Sequence, residues 1–396
     1  MGEPRARRAV ASLIGAVCLV LAVTSCRPKP DFYVPPDTLP ATPGQVVRSM
    51  KVLFDKAYPF HGAAVMYGST TATGQRNVVT GSVYVPKTAW PGPGSRPIVS
   101  FAPGTQGLGD RCAPTQTLPI GSNYEQATIE GLLDRGWAVA ITDYEGLGPP
   151  GDHTYIVKDA EAHAMLDVVR AAQRLPDAAA WGIGAASPVA LWGYSQGGQA
   201  AAAAAEIETT YAPELDVRAV VAGGVPADPA GMIEHLDGAG NSFFAFLAFA
   251  AVGLNAAYPE LDLESYLNDE GTELFAGNRG VCLIDGITLG MGRHIADLTT
   301  SNPLDTPAWQ ARIGQQRLGT TTPAAPVFLF HGSTDQIIPV EQGRALRDAW
   351  CTAGAHVVYG EYPVDHLGGI NVGLLDGVGF VAARFASEAL PAACTG

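Results

Sequence analysis

Three side chains, in one order along the chain, carry the chemistry that this sequence can do. Ser195 lies in Gly193-Tyr194-Ser195-Gln196-Gly197-Gly198, between the strand-like apolar run Val189-Ala190-Leu191-Trp192 and a helix-forming run of Gln199 and six alanines, Ala200 to Ala205. A serine on a strand-to-helix turn, with glycines two residues to either side, presents its hydroxyl clear of the backbone and aims a helix N-terminus at a reacting carbonyl. That hydroxyl is a poor nucleophile at neutral pH and needs a base, and the base needs an acid to orient it. Downstream, the apolar strand Val327-Phe328-Leu329-Phe330 runs into His331-Gly332-Ser333-Thr334-Asp335, and Tyr359 to Val364 runs into Asp365-His366-Leu367-Gly368-Gly369. Asp335 just past one strand and His366 just past the next are where the acid and the base belong, 140 and then 31 residues along.

Rivals for each role are weaker. His331 precedes the acid and is expected to pack, His235 and His294 lie in a region without strands, and His61, His153 and His163 come before the nucleophile. Asp365 adjoins His366, and adjacent residues rarely face each other well enough to form the pair. An acyl-transfer site also needs two donors for the tetrahedral oxygen. The backbone N–H of Gln196 is one. The loop Ala102-Pro103-Gly104-Thr105-Gln106-Gly107, after the strand Ile98–Phe101, offers Gln106 as the other, through its backbone N–H, its side-chain amide, or both.

The elements that must position these groups alternate. Ala63 to Tyr67, Val78 to Val85, Ile98 to Phe101, Ala138 to Thr142, the elbow strand, Val217 to Ala222, Val327 to Phe330 and His356 to Tyr362 read as strands. Ala127 to Arg135, Glu161 to Leu175, the alanine run and Val372 to Ala389 read as helices. Strands separated by helices predict an α/β protein with a mostly parallel sheet covered on both faces, and the serine turn makes it an α/β-hydrolase fold. The rhythm breaks from about Pro226 to Thr320. Within that stretch, residues 243–254 carry no charge and are too few to span a bilayer, so they are expected to form a buried helix, or to wall an acyl chain.

The chain has 396 residues, 47% of them hydrophobic, and a net charge of −14. That is enough for a large core, and an acidic chain repels phosphate backbones, so no nucleic-acid partner is expected. At the N-terminus, Arg5, Arg7 and Arg8 precede an apolar stretch, Ala9 to Val23, that is shorter than a comfortable membrane span. Val23-Thr24-Ser25-Cys26 resembles a bacterial lipobox, which would place cleavage before Cys26 and a lipid on it. The expectation is an exported chain, held at the cell surface by that anchor or secreted. Residues 27 to about 45 are proline-rich, an extended tether or a surface strap. Of six cysteines, Cys18 leaves with the signal and Cys26 is lipidated. The remaining Cys112, Cys282, Cys351 and Cys394 are an even number for an oxidising compartment, with three possible pairings and no metal-site spacing. No metal or cofactor is called for. Nothing in the sequence sets an oligomeric state.

Several of these segments together resemble the secretory lipase family of the lipase-A type: Gly193 to Gly198, Tyr211-Ala212-Pro213-Glu214-Leu215, Asp110-Arg111-Cys112-Ala113-Pro114, Asp143-Tyr144-Glu145-Gly146, Arg279-Gly280-Val281-Cys282-Leu283, Tyr362-Pro363-Val364-Asp365-His366-Leu367 and Asp31-Phe32-Tyr33. The resemblance covers most of the mature chain. It implies a helical cap inserted between serine and acid, hydrolysis of carboxylic esters, typically acylglycerols, and the pairings Cys112–Cys282, tying cap to core, and Cys351–Cys394. Each such bond closes a long loop and would contribute on the order of 3–5 kcal/mol. The expected organisation is a signal peptide at 1–25, a lipidated N-terminus and tether at 26–60, core at 61–226, cap at 227–320 and core again at 321–396. Two departures stand out. Fungal members place an aspartate where this chain has Gln106, and they continue past the last cysteine into a segment that covers the site. This chain stops two residues after Cys394, which predicts a more open, esterase-like site. An acyltransferase or serine peptidase would use the same three groups, and a ligand-binding surface lipoprotein would need none of them.

Overall fold

The computed structural model describes residues 30–52, 59–237 and 242–394; the expected signal peptide and Cys26 lie outside the described residues. Nine strands form one sheet: β1 (Val46–Lys51), β2 (Phe60–Thr70), β3 (Arg76–Pro86), β4 (Ile98–Ala102), β5 (Ala138–Thr142), β6 (Val189–Tyr194), β7 (Val217–Gly223), β8 (Val327–Gly332) and β9 (Val357–Tyr362). Their order is β1-β2-β3-β5-β4-β6-β7-β8-β9. The pairs from β1 to β5 are antiparallel and those from β5 to β9 parallel. Every residue of β4, β5, β6 and β8 is buried, which is why these strands read as unbroken apolar runs rather than alternating ones.

Helices cover both faces. Before the break in rhythm come α1 (Pro114–Thr117), α2 (Gln126–Leu133), α3 (Lys158–Gln173) and α4 (Gln196–Tyr211); α11 (Val340–Thr352) and α12 (His366–Phe385) close the chain. One face packs Met165, Leu166 and Val169 of α3, the six alanines of α4 and Trp350 of α11 against the sheet. The alanines serve twice here, as strong helix formers and as side chains small enough for α4 to lie close to the sheet and to α3. The opposite face packs Ile129 and Leu132 of α2 with Phe380 and Val381 of α12. From the described part of the proline-rich segment, Phe32 and Tyr33 are buried on this face, with the Tyr33 hydroxyl 2.9 Å from that of Thr115, while Pro43 and Gly44 reach α3 on the other, the Pro43 carbonyl accepting from Arg174 at 2.7 Å.

Between β7 and β8 the described residues form helices and no strand: α5 (Pro229–Leu236), α6 (Phe244–Ala257), α7 (Asp269–Asn278), α8 (Leu283–Gly290), α9 (Ile295–Leu298) and α10 (Pro307–Gln315). This insertion has its own core, centred on α6, whose apolar residues point all round because it is enclosed on most sides. Phe249 of α6 is fully buried, worth about 1.5–3 kcal/mol relative to exposure. It sits under Gly286 of α8, where a Cβ would come within 2.2 Å of its ring, so any larger residue at 286 would push the two helices apart.

Candidate active site

Ser195 joins β6 to α4 at φ 60°, a conformation that a non-glycine residue rarely adopts. The turn is feasible because its neighbours lack side chains. A Cβ on Gly193 would meet the Gly197 carbonyl at 1.9 Å, and one on Gly197 would meet the Ala102 carbonyl at the same distance. The Ser195 N–H donates to Gly223 of the adjacent strand at 2.9 Å, which pins the turn to the sheet.

The other candidate groups leave the ends of neighbouring parallel strands. Asp335 follows β8 and His366 opens α12 after β9. Ser195 Oγ lies 3.1 Å from His366 Nε2, and His366 Nδ1 lies 2.7 Å from Asp335 Oδ2. Asp335 Oδ1 accepts from the backbone N–H groups of Ile337 and Ile338 at 2.9 and 2.8 Å, which fixes the carboxylate plane. Burial alone would raise the pKa of Asp335. Hydrogen bonds from His331 and His366, with the electrostatic attraction to the His366 ring, outweigh it and hold the carboxyl well below the usual range. Asp365, the rival acid, caps α12 instead, accepting from the Gly368 N–H at 2.7 Å. Tyr194 donates its hydroxyl to the His366 carbonyl at 2.7 Å, under Gly369, where a Cβ would collide with it.

His331 is fully buried, yet it does more than pack. Its Nε2 is 2.9 Å from the Ile338 carbonyl and 3.5 Å from Asp335 Oδ2. Its position four residues before Asp335 in the sequence was the available signal for this contact.

The two expected oxyanion donors differ in their surroundings. Gln196 is the first residue of α4, and its backbone N–H, like that of Gln106, has no partner among the described residues. The side-chain amide of Gln106 is already engaged: Nε2 donates to the Gly104 carbonyl at 2.9 Å and to Glu125 Oε2 at 3.2 Å, and Oε1 accepts from Asn123 at 2.9 Å. Of the two routes open to Gln106 from its sequence, only the backbone N–H remains free. Burial pushes Glu125 up to about 8, with the Gly104 N–H pulling the other way, so this carboxyl is mostly neutral at pH 7.

The Gln196 side chain is clamped from behind. Its Nε2 donates to Glu161 Oε1 at 2.7 Å and reaches His153 Nε2 at 3.1 Å, while His153 Nδ1 lies 2.9 Å from the Glu145 carbonyl. Burial pushes Glu161 up to about 8 and holds His153 down to about 4, leaving both neutral around pH 7. Neither residue was picked out from the sequence. The signal for Glu161 was a carboxylate on the buried face of α3.

Ser195 and Gln196 open onto an apolar pocket walled by Met232, Leu247, Leu254, Trp309, Ile313 and Ile337. All but Ile337 come from the helical insertion. Among the described residues no cluster of three or more His, Cys, Asp or Glu could hold a metal. Cys112 is bonded to Cys282, joining the core to the insertion, and Cys351 to Cys394.

A serine on such an elbow, with an aspartate and a histidine from the two following strand ends in contact with it, defines an α/β-hydrolase with a serine nucleophile constellation. Solved structures agree on the fold: that of Candida antarctica lipase A in its closed state superposes with a TM-score of 0.81 over 93% of this chain and 89% of that one, at 24% identity. The rice cell wall degrading esterase LipA of Xanthomonas oryzae, in a ligand-bound form, gives 0.68 over 87% and 98%, at 18% identity. The chain belongs to the secretory lipase family, whose profile matches residues 112–392. A probable inactive lipase of Mycobacterium tuberculosis is 31% identical over 83% of this chain and 75% of its own length. A secreted triacylglycerol lipase of Malassezia furfur is 27% identical over 72% and 77%. A probable trichothecene esterase of Stachybotrys chartarum is 26% identical over 89% and 76%. The protein is accordingly a lipase or esterase, a carboxylic ester hydrolase acting on lipid or ester substrates.

Proposed function

We propose that this hydrolase cleaves acylglycerol-type esters through an acyl-enzyme on Ser195, with His366 as base and Asp335 as its orienting acid. The observation that carries this reading is the continuous contact from Ser195 Oγ through His366 to Asp335, at 3.1 and 2.7 Å, at the mouth of an apolar pocket. His366 Nε2 takes the serine proton as Oγ attacks the ester carbonyl, and the Gln196 and Gln106 backbone N–H groups receive the oxyanion. The C–O bond to the alcohol breaks and the alcohol leaves with the proton from His366. Water then attacks the acyl-enzyme carbonyl and gives a proton to His366; as the bond from that carbon to Ser195 Oγ breaks, His366 returns the proton to Oγ and the acid leaves. The acyl chain lies in the pocket of the insertion, which acts as a cap spanning about residues 227–320. The serine–histidine contact supports this reading over that of a ligand-binding lipoprotein.

The chain is exported, as its family and disulfides support, and Cys26 carries the lipid that holds it at the membrane. Hydrolysis rates across p-nitrophenyl esters from C2 to C16, with emulsified triolein beside them, test the substrate class. A profile that falls from acetate onward, with no triolein cleavage, would rule out acylglycerols. Cys26→Ser tests the anchor: labelled fatty acid fed to the cells should be incorporated into the wild-type enzyme and not into the variant, with its ester activity unchanged.

A further inference from the structure

Gln106 is gripped on both sides of its own residue. The N–H of Gln106 shares a peptide plane with the Thr105 carbonyl, and that carbonyl accepts from the Tyr124 hydroxyl at 3.2 Å. Because N–H and C=O of a planar trans peptide point in opposite directions, holding the Thr105 oxygen also aims the Gln106 N–H. The next peptide plane is held by the insertion: the Gln106 carbonyl accepts from the Leu283 N–H at 2.9 Å. That bond belongs to a short bridge between Gly107 and Cys282, continued by Leu108 and Gly109, whose N–H groups donate to the Val281 carbonyl at 3.0 and 3.1 Å. Gly107, at φ 104°, is the residue that permits it, since a Cβ there would lie 2.5 Å from the Val281 oxygen. The Cys112–Cys282 bond fastens the same two segments, with 5.4 Å between Cα atoms. Tyr124 approaches closely because Gly104 has no side chain: a Cβ there would lie 2.6 Å from its hydroxyl.

We infer that the Tyr124 hydroxyl and the Leu283 N–H are positioning groups for the oxyanion donor on Gln106, so that the insertion helps to set the chemistry as well as the substrate pocket. The inference rests on the proposed Ser195 mechanism. Neither group touches substrate; each acts through a peptide plane. Displacing a preorganised donor from the place where charge develops lowers kcat while leaving ground-state binding in the pocket little changed.

Two substitutions remove the two grips with little else. Tyr124→Phe deletes one hydroxyl from a half-exposed ring. Leu283→Pro deletes one N–H at the first position of α8, where proline suits a helix, and Cys282 before it is already extended at φ −85°, ψ 169°, as a residue preceding proline must be. Leu283→Ala controls for the lost side chain. Each variant is assayed on a p-nitrophenyl ester and on its thionoester, whose sulfur accepts hydrogen bonds poorly and gains little from the donors. We expect kcat for the oxoester to fall roughly 10- to 100-fold in Tyr124→Phe and Leu283→Pro, with KM within about twofold. The oxo-to-thiono rate ratio should collapse in parallel, with Leu283→Ala close to wild type. A kcat within twofold of wild type for Tyr124→Phe, or a loss shared equally by oxoester and thionoester, overturns the inference. Should Leu283→Pro melt well below Leu283→Ala, Tyr124→Phe alone decides. The underlying mechanism fails separately: a wild-type enzyme that cleaves the thionoester as fast as the oxoester, or a Ser195→Ala variant that stays active, would refute the reading on which the inference rests.

Discussion

His331 Nε2 stands 3.5 Å from the same Asp335 oxygen that meets His366 Nδ1 at 2.7 Å. The acid therefore faces two imidazoles, one in contact with Ser195 and one sealed behind it. Gly343 of α11 makes room for the second: a Cβ there would come within 2.6 Å of His331 Nδ1. Removing His331 should loosen the carboxylate without removing it. His331→Ala is expected to cost about 1–3 kcal/mol of stability, because the Ile338 carbonyl loses its donor in a buried place. Its kcat should fall by roughly tenfold, while Asp335→Asn, which removes the charge and the tautomer control, should fall by roughly 10³–10⁴. Equal losses in the two variants would mean that His331 and Asp335 act as one unit.

Buried carboxyls set how stability depends on pH. Burial pushes Glu125 and Glu161 up to about 8 from an ordinary value of 4.5. The folded chain keeps these protons through a window in which the unfolded chain has released them. Their contribution is therefore complete below about pH 4.5, declines as pH rises through the window, and is gone above about 8, by up to about 1.4 kcal/mol per pH unit for each group. Asp143 and Asp167, pushed up to about 6, and Glu208, up to about 7, act with the same sign. His153, held down to about 4, works at the acid end, where stability is lost as pH falls below 6.5. Thermal melts from pH 6 to 9 should show Tm falling, and Glu161→Gln should flatten the fall. A Tm that climbs over that range would contradict the assignment.

Trp309 divides two apolar spaces in the insertion. The pocket at Ser195 and a second, smaller apolar cavity share Trp309, Leu304, Leu247 and Ala251 as a common wall. The indole is fixed by a 3.0 Å hydrogen bond from Nε1 to the Leu261 carbonyl. Trp309→Leu should join the spaces and raise kcat/KM for long acyl chains over short ones by roughly tenfold, the equivalent of about two more buried methylenes. An unchanged chain-length profile in a folded variant would show that the acyl group does not reach this wall.

Ser195, Asp335 and His366 were legible because each follows an apolar strand, and such strands announce themselves in a sequence. What the sequence hid has physical reasons. Strand β1 went unread because Arg48, Ser49 and Lys51 break its apolar pattern, as an edge strand permits. Helix α12 begins at His366, earlier than the expected Val372, since Gly368, Gly369 and Gly373 lower its helix propensity. Those glycines answer to neighbours far away in sequence: a Cβ on Gly369 would strike the Tyr194 hydroxyl, and one on Gly373 the Phe330 ring. The clamps on Gln106 and Gln196 join Glu125, Asn123, Glu161 and His153 from separate segments, and no local pattern encodes such meetings.

In the proposed mechanism Ser195 is a nucleophile activated by His366. A fluorophosphonate probe followed by peptide mass spectrometry tests it on the intact enzyme. The expected result is a single adduct on the peptide carrying Ser195, formed rapidly in wild type, at least 10³-fold more slowly in His366→Ala, and absent in Ser195→Ala together with ester hydrolysis. Labelling at another residue, or ester hydrolysis that survives Ser195→Ala, would contradict the account.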